Sequence, residues 1–560
     1  MDFPPRKTKV LFFGNKKLPP GEWGGRLPIA LIFPEKKELA FSTLGWQAVL
    51  RELLLVGDFV VERFFGQGDQ TSDLHSYDTN THLSFFPVWT FSLNFELDTL
   101  NVLRYLNSCN LPLRAEQRKG FPLLIAGGPL VFLNPYPILP AFDLMFVGEC
   151  EGEFVSLLQK LKNAYLNGAS KQELIEFAKK SDFILTLHKK ARRYIYLKKD
   201  FYPAYSLFIS SKTTFRDTFL LEINRGCLYG CRFCAAGYIY RPFREISLQT
   251  AQEIVSCVHP KKVGLVGTAL TDWPYLHDFL AWLAERKIKF SLSSLRFDGL
   301  SEDLLIFLRK QGLRSLTIAV EGISQRIRQA INKRFCEKKF FSLVEKISVF
   351  QFNTLKLYFI LGFPDEQESD FTELENFLKE LVLVKNKARG KKKSGLNLVQ
   401  ISASFLVPKP WTPLQWMGME ELEILEQKRQ RFKKLIKNME GVRFSGENPI
   451  LAIIQAIIAR GDVRVFDFIQ TALRENSWKK AYKQAKEHMK IYLQERKQTD
   501  IFPWDDLDIG LKKDFLWQEY LKFKQSQHSS ICKKGCTSCN RCGLTAWLKT
   551  REKSLFTNLS

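Results

Sequence analysis

Short apolar runs separated by helix-like segments characterise the first part of the chain, after a polar lead-in over residues 1–25. The apolar runs lie at residues 28–32, 59–61, 89–93, 123–126 and 144–147. Segments with apolar positions at helical spacing lie at residues 44–55, 97–106 and 154–161. Strands that alternate with helices build a parallel sheet with crossovers. The pattern predicts a Rossmann-like α/β domain over residues 26–200.

The same alternation resumes at residue 218. Strand-like runs lie at residues 219–223, 263–266, 290–295, 315–320, 356–361 and 399–406. Helix-like segments separate them, among them residues 276–283, 302–309 and 371–383. Repeated strand–helix units with right-handed connections curve into a barrel whose working loops follow the carboxyl ends of the strands. We predict a partial (β/α)6 TIM-type barrel over residues 218–418.

The rest of the chain is predicted to be helical over residues 419–525, followed by a cysteine-containing tail over residues 526–560. Asn448 is a suitable N-cap for the apolar helix expected at residues 450–459. Residues 407–416 contain too many prolines for a helix or a central strand. We expect that segment to cross the surface or to line the barrel mouth.

Composition adds a strong basic charge to this picture. The 560 residues are 45% hydrophobic and 25% charged, as in ordinary soluble proteins, but the formal net charge is +24. Such a charge favours RNA or an anionic membrane surface as a partner; a general lysine bias of the proteome would give the same charge. The basic run at residues 385–393 is predicted to be a solvated loop, with a nucleic-acid or membrane contact as the alternative. The sequence contains neither an export leader nor an apolar run long enough for a transmembrane segment, which favours a cytoplasmic protein.

Cys227, Cys231 and Cys234 lie directly after the first strand of the predicted barrel. Their spacing is too close for a disulfide framework, and metal ligation is the better interpretation. A structural zinc site needs a fourth ligand, and no Cys or His follows within the next twenty residues. Three thiolates suit an iron–sulfur cluster with one iron position left open.

The CxxxCxxC spacing, with the aromatic Phe233 before the last cysteine, resembles the signature of the radical S-adenosylmethionine (SAM) superfamily. The resemblance implies a [4Fe-4S] cluster on Cys227, Cys231 and Cys234, with SAM bound at the open iron. It also implies that an electron from the cluster cleaves SAM to methionine and a 5'-deoxyadenosyl radical.

Polar or small residues end the other predicted barrel strands. Gly267 and Thr268 follow the second strand, Ser294 and Arg296 the third, Glu321 the fourth and Gly362 the fifth. The resemblance implies that the residues after the second strand contact the methionyl amino group of SAM and that the glycine after the fifth strand approaches adenine. Arg296 and Glu321 are catalytic candidates by position only. Each residue could instead be a turn or cap residue.

Four further cysteines, Cys532, Cys536, Cys539 and Cys542, form a CxxxCxxCxxC pattern in the tail. We call them the tail cysteines. Their compact spacing resembles ferredoxin-type ligation and favours a second [4Fe-4S] cluster. A four-thiolate zinc site is the alternative, although such sites usually separate two CxxC pairs by a longer loop.

The chain also resembles a group of radical SAM proteins with an N-terminal cobalamin-binding-like domain and a C-terminal cysteine cluster. Cobalamin binding is doubtful because the loop after the first strand, residues 33–37, lacks the Asp-x-His-x-x-Gly motif that supplies a cobalt ligand. The resemblance implies a radical SAM enzyme that modifies an unactivated carbon, with a reductant such as ferredoxin or flavodoxin. The basic charge tilts the substrate toward RNA or an RNA-associated protein.

Two alternatives to this function stay open. One is a cobalamin-dependent methyltransferase of a small molecule or lipid. The other is a non-enzymatic electron-transfer or RNA-binding iron–sulfur protein.

Overall fold

The computed structural model describes residues 10–66, 73–197, 202–390, 394–536, 539 and 541–557. Its N-terminal sheet consists of β1 (Leu27–Phe33), β2 (Phe59–Phe65), β3 (Val88–Ser92), β4 (Leu123–Gly127), β5 (Leu144–Phe146) and β6 (Ile184–Leu185). The helices of this part are α1 (Lys37–Ala40), α2 (Leu44–Val56), α3 (Thr99–Ser108), α4 (Pro129–Leu133), α5 (Glu153–Leu166) and α6 (Lys171–Ala178). A short strand, β7 (Ala191–Arg192), follows.

The strand order β2-β1-β3-β4-β5-β6 confirms the Rossmann-like prediction. Strands β1 to β5 run parallel, and β6 is antiparallel to β5. Every residue of β1, β2 and β3 is buried, as expected where helices cover both faces of a parallel sheet. Strands β2 and β3 pair with opposite edges of β1, so the strand order reverses at β1. A crevice opens at the carboxyl ends of the strands at such a point.

The second α/β part is a partial barrel of parallel strands. Its strands are β8 (Phe219–Glu222), β11 (Lys262–Val266), β12 (Lys289–Leu292), β13 (Ser315–Glu321), β14 (Thr354–Leu361), β15 (Leu398–Phe405) and β16 (Val442–Gly446). The small hairpin β9 (Asn224–Arg225) and β10 (Arg244–Glu245) flanks the three cysteines. The helices of the barrel part are α7 (Ala236–Ile239), α8 (Leu248–Val258), α9 (Leu276–Glu285), α10 (Glu302–Lys310), α11 (Gln325–Ala330), α12 (Glu337–Val349) and α13 (Glu368–Arg389).

The order of these strands confirms the predicted TIM-type barrel. Strands β8, β11 and β12 pair in parallel, and so do β13, β14, β15 and β16. A parallel bridge between Leu295 and Ile318 joins the two groups. The carboxyl ends of all these strands therefore face one side, where the cysteines lie.

The C-terminal region contains α14 (Leu422–Ile436), α15 (Pro449–Arg460), α16 (Val465–Arg474), α17 (Trp478–Met489), α18 (Lys513–Lys524), α19 (Leu544–Thr557) and the short strand β17 (Leu507–Asp508). The predicted cap of α15 is confirmed, because the Asn448 side chain accepts a hydrogen bond from the Ile450 N–H. Strand β17 pairs with β7, which ties this region to the N-terminal part. The domain boundaries themselves stay a prediction.

Three sequence-based expectations were wrong. Strand β16 lies inside the region predicted to be helical; its five residues are too few to show their period. Of the two courses expected for residues 407–416, the one across the surface is wrong, because these residues are mostly buried, with Trp411 and Trp416 in the core; the place at the barrel mouth stays a prediction. Residues 385–389 continue α13 instead of forming a loop, and the Lys385 Nζ donates to the Glu440 carbonyl at 2.9 Å. Residues 391–393 of that basic run lie outside the described residues.

In the described ranges, no helix is both long enough and apolar enough to cross a bilayer.

Candidate functional site

Cys227, Cys231 and Cys234 lie on the segment between β9 and α7, which we call the cysteine loop (residues 226–235). Gly226 begins it with φ +83°, and a Cβ there would lie 2.6 Å from the Tyr240 carbonyl oxygen. Only glycine fits this turn. Burial raises the pKa of all three thiols; for Cys234, Cys231 and Cys227 add to this shift, and the pKa rises to about 12.

Such a buried set of thiols is deprotonated only beside compensating positive charge, which a metal cluster supplies. Among the residues that the structure describes, no three His, Cys, Asp or Glu side chains lie close enough to hold a metal ion. In an iron–sulfur cluster each thiolate binds a different iron, so the thiolates lie farther apart than around one ion. The donor set of the cysteine loop, three thiols, fits a [4Fe-4S] cluster with one iron position left open.

The second strand end meets the cysteine loop through a residue that sequence reasoning missed, Asn224. Its Oδ1 accepts from the Thr268 N–H at 2.9 Å, and its Nδ2 donates to the Ala269 carbonyl at 3.2 Å. A Cβ at Gly267 would lie 2.6 Å from the same Oδ1. The Thr268 hydroxyl donates to the Gly226 carbonyl. A buried asparagine directly after a strand, two positions before the cysteine loop, was the available signal.

Arg296 lies beside the cysteine loop, as predicted for a residue after the third strand. Its guanidinium carbon is 3.4 Å from the ring centroid of Tyr229, whose hydroxyl donates to Asp272 at 2.9 Å. Arg296 also pairs with Asp298 at 2.6 Å. Its positive charge opposes the effect of burial on the pKa of Cys227. Arg296 is therefore oriented by an aromatic face and a carboxylate at the edge of the loop.

Glu321 closes the fourth barrel strand, β13, in a strained conformation. Its φ of +71° is rare for a residue with a side chain, and the strand register shifts beside it. Burial raises the pKa of Glu321, and Lys333, 3.7 Å away, opposes that shift. The charges of both residues act on Cys231. The structure thus brings Glu321 to the cysteine loop.

The other three predicted site residues have different surroundings. Ser294 is exposed after β12. Gly362, with φ +84°, donates its N–H to Glu366 at 3.1 Å, and a Cβ there would lie 2.6 Å from Leu425 of α14. Phe233 is half-buried and packs on the apolar core. The described contacts of Gly362 thus lie toward α14 and α13.

A cavity of about 400 Å³ separates the N-terminal sheet from the barrel, and we call it the interdomain cavity. Thr90 and Gly127 line it from the sheet, at the crevice beside β1 and β3. Gly226, Gly267 and Thr268 line it from the barrel. The edge that was predicted to contact SAM therefore opens into the cavity.

An ion network forms one wall of this cavity. Glu149 pairs with both terminal nitrogens of Arg244, at 2.6 and 2.7 Å. Arg225 pairs with Glu151 at 3.0 Å and with Glu222 at 2.9 Å. Burial alone would raise the pKa of Glu149, but Arg244 and Arg225 lower it to about 2. The network joins the two α/β parts directly before the cysteine loop.

The tail packs on the outer side of the cysteine loop. The Cys532 N–H donates to the Leu228 carbonyl at 2.8 Å. Arg232 of the loop is buried and donates to the Gln527 carbonyl at 2.8 Å and to Ser529 Oγ at 2.9 Å. It also pairs with Glu519 of α18 at 3.1 Å. The sequence did not predict that the two sets of cysteines would be neighbours.

The tail cysteines gather around Arg241. Cys536 and Cys532 share a hydrogen bond that lowers the pKa of Cys532 to about 6 and raises that of Cys536. Arg241 hydrogen-bonds to Cys542. Cys532, Cys539 and Cys542 line a cavity of about 260 Å³ whose opposite wall belongs to the cysteine loop. Three of the tail thiols thus line a space that Arg241 also lines, which suits a thiolate cluster of net negative charge.

Family profiles match both α/β parts. The profile for the N-terminal part of radical SAM proteins covers residues 47–185, and that for the radical SAM superfamily covers residues 221–378. The uncharacterised protein MJ0966 of Methanocaldococcus jannaschii is 30% identical over 450 residues, which are 79% of this chain and 90% of that protein. The chain belongs to the radical SAM superfamily. It is thus an enzyme, and the alternative of a non-enzymatic iron–sulfur protein is wrong.

More distant relatives match a smaller share of this radical SAM enzyme. The ribosomal protein uS12 methylthiotransferase RimO of Hydrogenobaculum sp. is 26% identical over 174 residues, 29% of this chain and 43% of that protein. The tRNA-2-methylthio-N(6)-dimethylallyladenosine synthase of Agrobacterium fabrum is 27% identical over 192 residues, 30% of this chain and 41% of that protein.

Solved structures give fainter likenesses. The methyltransferase TsrM from Kitasatospora setae, solved with cobalamin and a [4Fe-4S] cluster, aligns with a TM-score of 0.47 at 10% identity over 72% of this chain and 75% of that chain. The cobalamin-dependent enzyme OxsB aligns with a TM-score of 0.43 at 13% identity, over 94% of this chain and 84% of that chain. Likenesses this faint do not bear on ligands.

A [4Fe-4S] cluster and SAM are the cofactors of this radical SAM enzyme. The described lining of the interdomain cavity contains no histidine that could serve as a cobalt ligand.

Proposed function

We propose that this radical SAM enzyme binds its cluster through Cys227, Cys231 and Cys234 and reductively cleaves SAM. With both cofactors bound, SAM would supply a 5'-deoxyadenosyl radical able to abstract hydrogen from an unactivated carbon of a substrate in the interdomain cavity. One observation carries this proposal: Gly226, Gly267 and Thr268 form a wall of a cavity whose other walls come from the N-terminal sheet. A ligand in the cavity would thus lie against the edge that is expected to hold SAM.

The protein's own residues position and protect the reactants. Asn224 fixes Gly267 and Thr268 against the start of the cysteine loop, so their backbone forms one rigid edge. When bound, the cluster supplies the electron and the open iron at which SAM is held. Arg296 and Glu321 present one fixed charge of each sign beside the loop, suited to the carboxylate and amino groups of SAM.

Exclusion of water is the second task of the protein. Apolar side chains from β1, β3, β4 and β5 dominate the cavity wall opposite the barrel. A primary carbon radical removes hydrogen from many donors, so a dry, closely fitting site protects it from side reactions.

We further propose that the tail cysteines bind a second [4Fe-4S] cluster. Their position against the cysteine loop supports a redox cluster, because a structural zinc site would not need to lie beside the SAM cluster. We also propose that a reductant such as ferredoxin or flavodoxin supplies the electrons. The protein is proposed to be cytoplasmic.

RNA or an RNA-associated protein is the substrate class that the net charge of +24 supports. RimO and the tRNA methylthiotransferase act, by their names, on a ribosomal protein and on tRNA, but each match spans less than half of the relative. The alternative of cobalamin-dependent methylation has against it the lack of an Asp-x-His-x-x-Gly motif and of a histidine in the described cavity lining.

SAM cleavage tests the proposal. Enzyme reconstituted with iron and sulfide without oxygen should form 5'-deoxyadenosine from SAM and dithionite, measured by liquid chromatography and mass spectrometry. Cys231→Ser should abolish the product, whereas Cys257→Ser, at an exposed cysteine of α8, should retain it. A wild-type enzyme that carries its iron but forms no 5'-deoxyadenosine refutes the proposal. Cobalt near one per chain together with S-adenosylhomocysteine would instead support methylation.

A further inference from the structure

We infer that the interdomain cavity binds a small, neutral, predominantly apolar molecule and that this molecule is the substrate. The second half of the inference rests on the proposed function; the first half does not. It rests on the cavity wall and departs from RNA, the substrate class that only the net charge of the whole chain supports.

The chemistry of the wall is the first argument. Leu31, Phe91, Ile125 and Phe146 line the cavity from the N-terminal sheet, and Val266 lines it from the barrel. Burying apolar ligand surface against such side chains is favourable by roughly 25 cal/mol per Å². A volume of about 400 Å³ lies in the range that holds a drug-sized ligand.

Charge balance is the second argument. The carboxylates on the wall are Glu149, Glu151 and Glu222, and each forms an ion pair with Arg225 or Arg244. A charged ligand would lose its hydration and would have to disrupt these pairs to find a partner. A polyanion such as RNA therefore gains little from this wall, although the protein as a whole is basic.

The neutral polar groups are the third argument. Thr90, Ser92 and Asn94 lie at the carboxyl end of β3, and Thr268 lies on the facing barrel edge. A few hydroxyl and amide groups in an apolar wall can orient a ligand through hydrogen bonds, and the ligand then needs no charge. A ligand with one or two neutral polar groups would be held between the sheet and the SAM edge.

Gly45 offers a direct test. It lies in the first turn of α2 and lines the cavity, and a Cβ there would meet nothing within 4 Å. Gly45→Phe should therefore fill part of the cavity without disturbing the backbone, and it removes a glycine from a helix. Gly24→Phe is the matched control, because Gly24 is exposed, also has open space around a Cβ, and lies outside the cavity lining.

The probe is the neutral fluorophore N-phenyl-1-naphthylamine, titrated into the reconstituted full-length enzyme. We expect saturable binding of one probe per chain, about tenfold or more weaker in Gly45→Phe and unchanged in Gly24→Phe. Hydroxocobalamin and a single-stranded RNA 20-mer should not displace the probe. Thermal unfolding of both variants checks that they fold.

Several outcomes overturn the inference. They are absence of saturable probe binding, equal binding in wild type and Gly45→Phe, displacement by RNA, or stoichiometric cobalamin binding that Gly45→Phe removes. Formation of 5'-deoxyadenosine with dithionite is measured in the same samples. Its absence refutes the proposed function and leaves the binding result to decide about the cavity.

Discussion

Asn224 shows how much of the candidate site depends on one side chain outside the cysteine motif. Its amide joins the carboxyl end of β11 to the start of the cysteine loop through hydrogen bonds to Thr268 and Ala269. Both partners are backbone groups, which need partners when they are buried. The side chain therefore holds a backbone edge rather than acting on SAM itself.

Replacing this amide should weaken SAM binding without removing the cluster. In Asn224→Ala the loss of two hydrogen bonds costs about 2 kcal/mol, which corresponds to roughly thirtyfold weaker SAM binding. Equilibrium dialysis with labelled SAM measures the affinity, and iron analysis should give the wild-type content. Asn353→Ala, which removes an exposed hydrogen bond with Asn397, is the control. Equal SAM affinity in both variants would show that Asn224 does not support SAM binding.

Glu366 should make the stability of the protein depend on pH. Burial raises its pKa to about 7 from an ordinary value of 4.5; Lys428, 2.8 Å away, opposes this shift and Glu420 adds to it. The folded protein thus holds this proton more tightly than the unfolded chain does, and its stability falls as the pH rises from about 4.5 to about 7.

Glu366→Gln isolates this effect because glutamine does not titrate. Between about pH 5 and about pH 8, the wild type should lose roughly 2 kcal/mol of unfolding free energy relative to Glu366→Gln. Chemical denaturation at the two pH values measures this difference. Glu375→Gln, which removes a half-exposed carboxylate paired with Lys379, should follow the wild type. A wild type that instead gains stability relative to Glu366→Gln as the pH rises would contradict the assignment.

At the scale of elements, the tail and the cysteine loop behave as one unit. Arg232 belongs to the loop, yet its partners lie in α18 and in the tail, apart from the Ala330 carbonyl at the end of α11. The loop could not keep this buried guanidinium without them, because a buried charge that loses its partner is strongly destabilising. The shape of the loop therefore depends on the tail.

The metal content of the tail can be tested directly. Enzyme reconstituted without oxygen should contain about eight irons per chain and no zinc, and the double variant Cys536→Ser, Cys539→Ser should contain about four. Elemental analysis measures iron and zinc, and the electron paramagnetic resonance spectrum after reduction should lose one signal. Cys257→Ser should keep about eight irons. About four irons with one zinc in the wild type would show a structural zinc site instead.

For the whole molecule, the pairing of Glu149 with Arg244 and Arg225 is a buried polar connection between the two α/β parts. The side chains involved are largely buried. Removal of one partner from such a network costs more than the pairing itself contributed, because charges are left buried without compensation.

Glu149→Gln should therefore destabilise the protein by about 3 kcal/mol. Thermal unfolding measures the loss, and faster hydrogen exchange in β5 and β10 should accompany it. The exposed pair of Glu176 and Lys179 provides the comparison, since Glu176→Gln should leave the thermal unfolding midpoint nearly unchanged. Equal effects of the two variants would show that the network does not join the parts.

The sequence by itself determined the features that repeat locally. The alternation of strands and helices in both α/β parts was correctly predicted, because burial on both faces of a parallel sheet leaves continuous apolar runs. The CxxxCxxC spacing named the superfamily and its cofactors, since ligation by neighbouring cysteines depends on short-range geometry. Strand β16 escaped because five residues carry too little of the pattern.

Only the tertiary structure decided what lies next to what. The contact between Cys532 and Leu228, the cavity between sheet and barrel, and the ion pairs of Glu149 join residues far apart in the chain. No local pattern encodes such contacts, because they depend on how complete elements pack. The same packing separates the basic charge of the whole protein from the balanced, apolar wall of its cavity, and this separation decides which ligand the cavity favours.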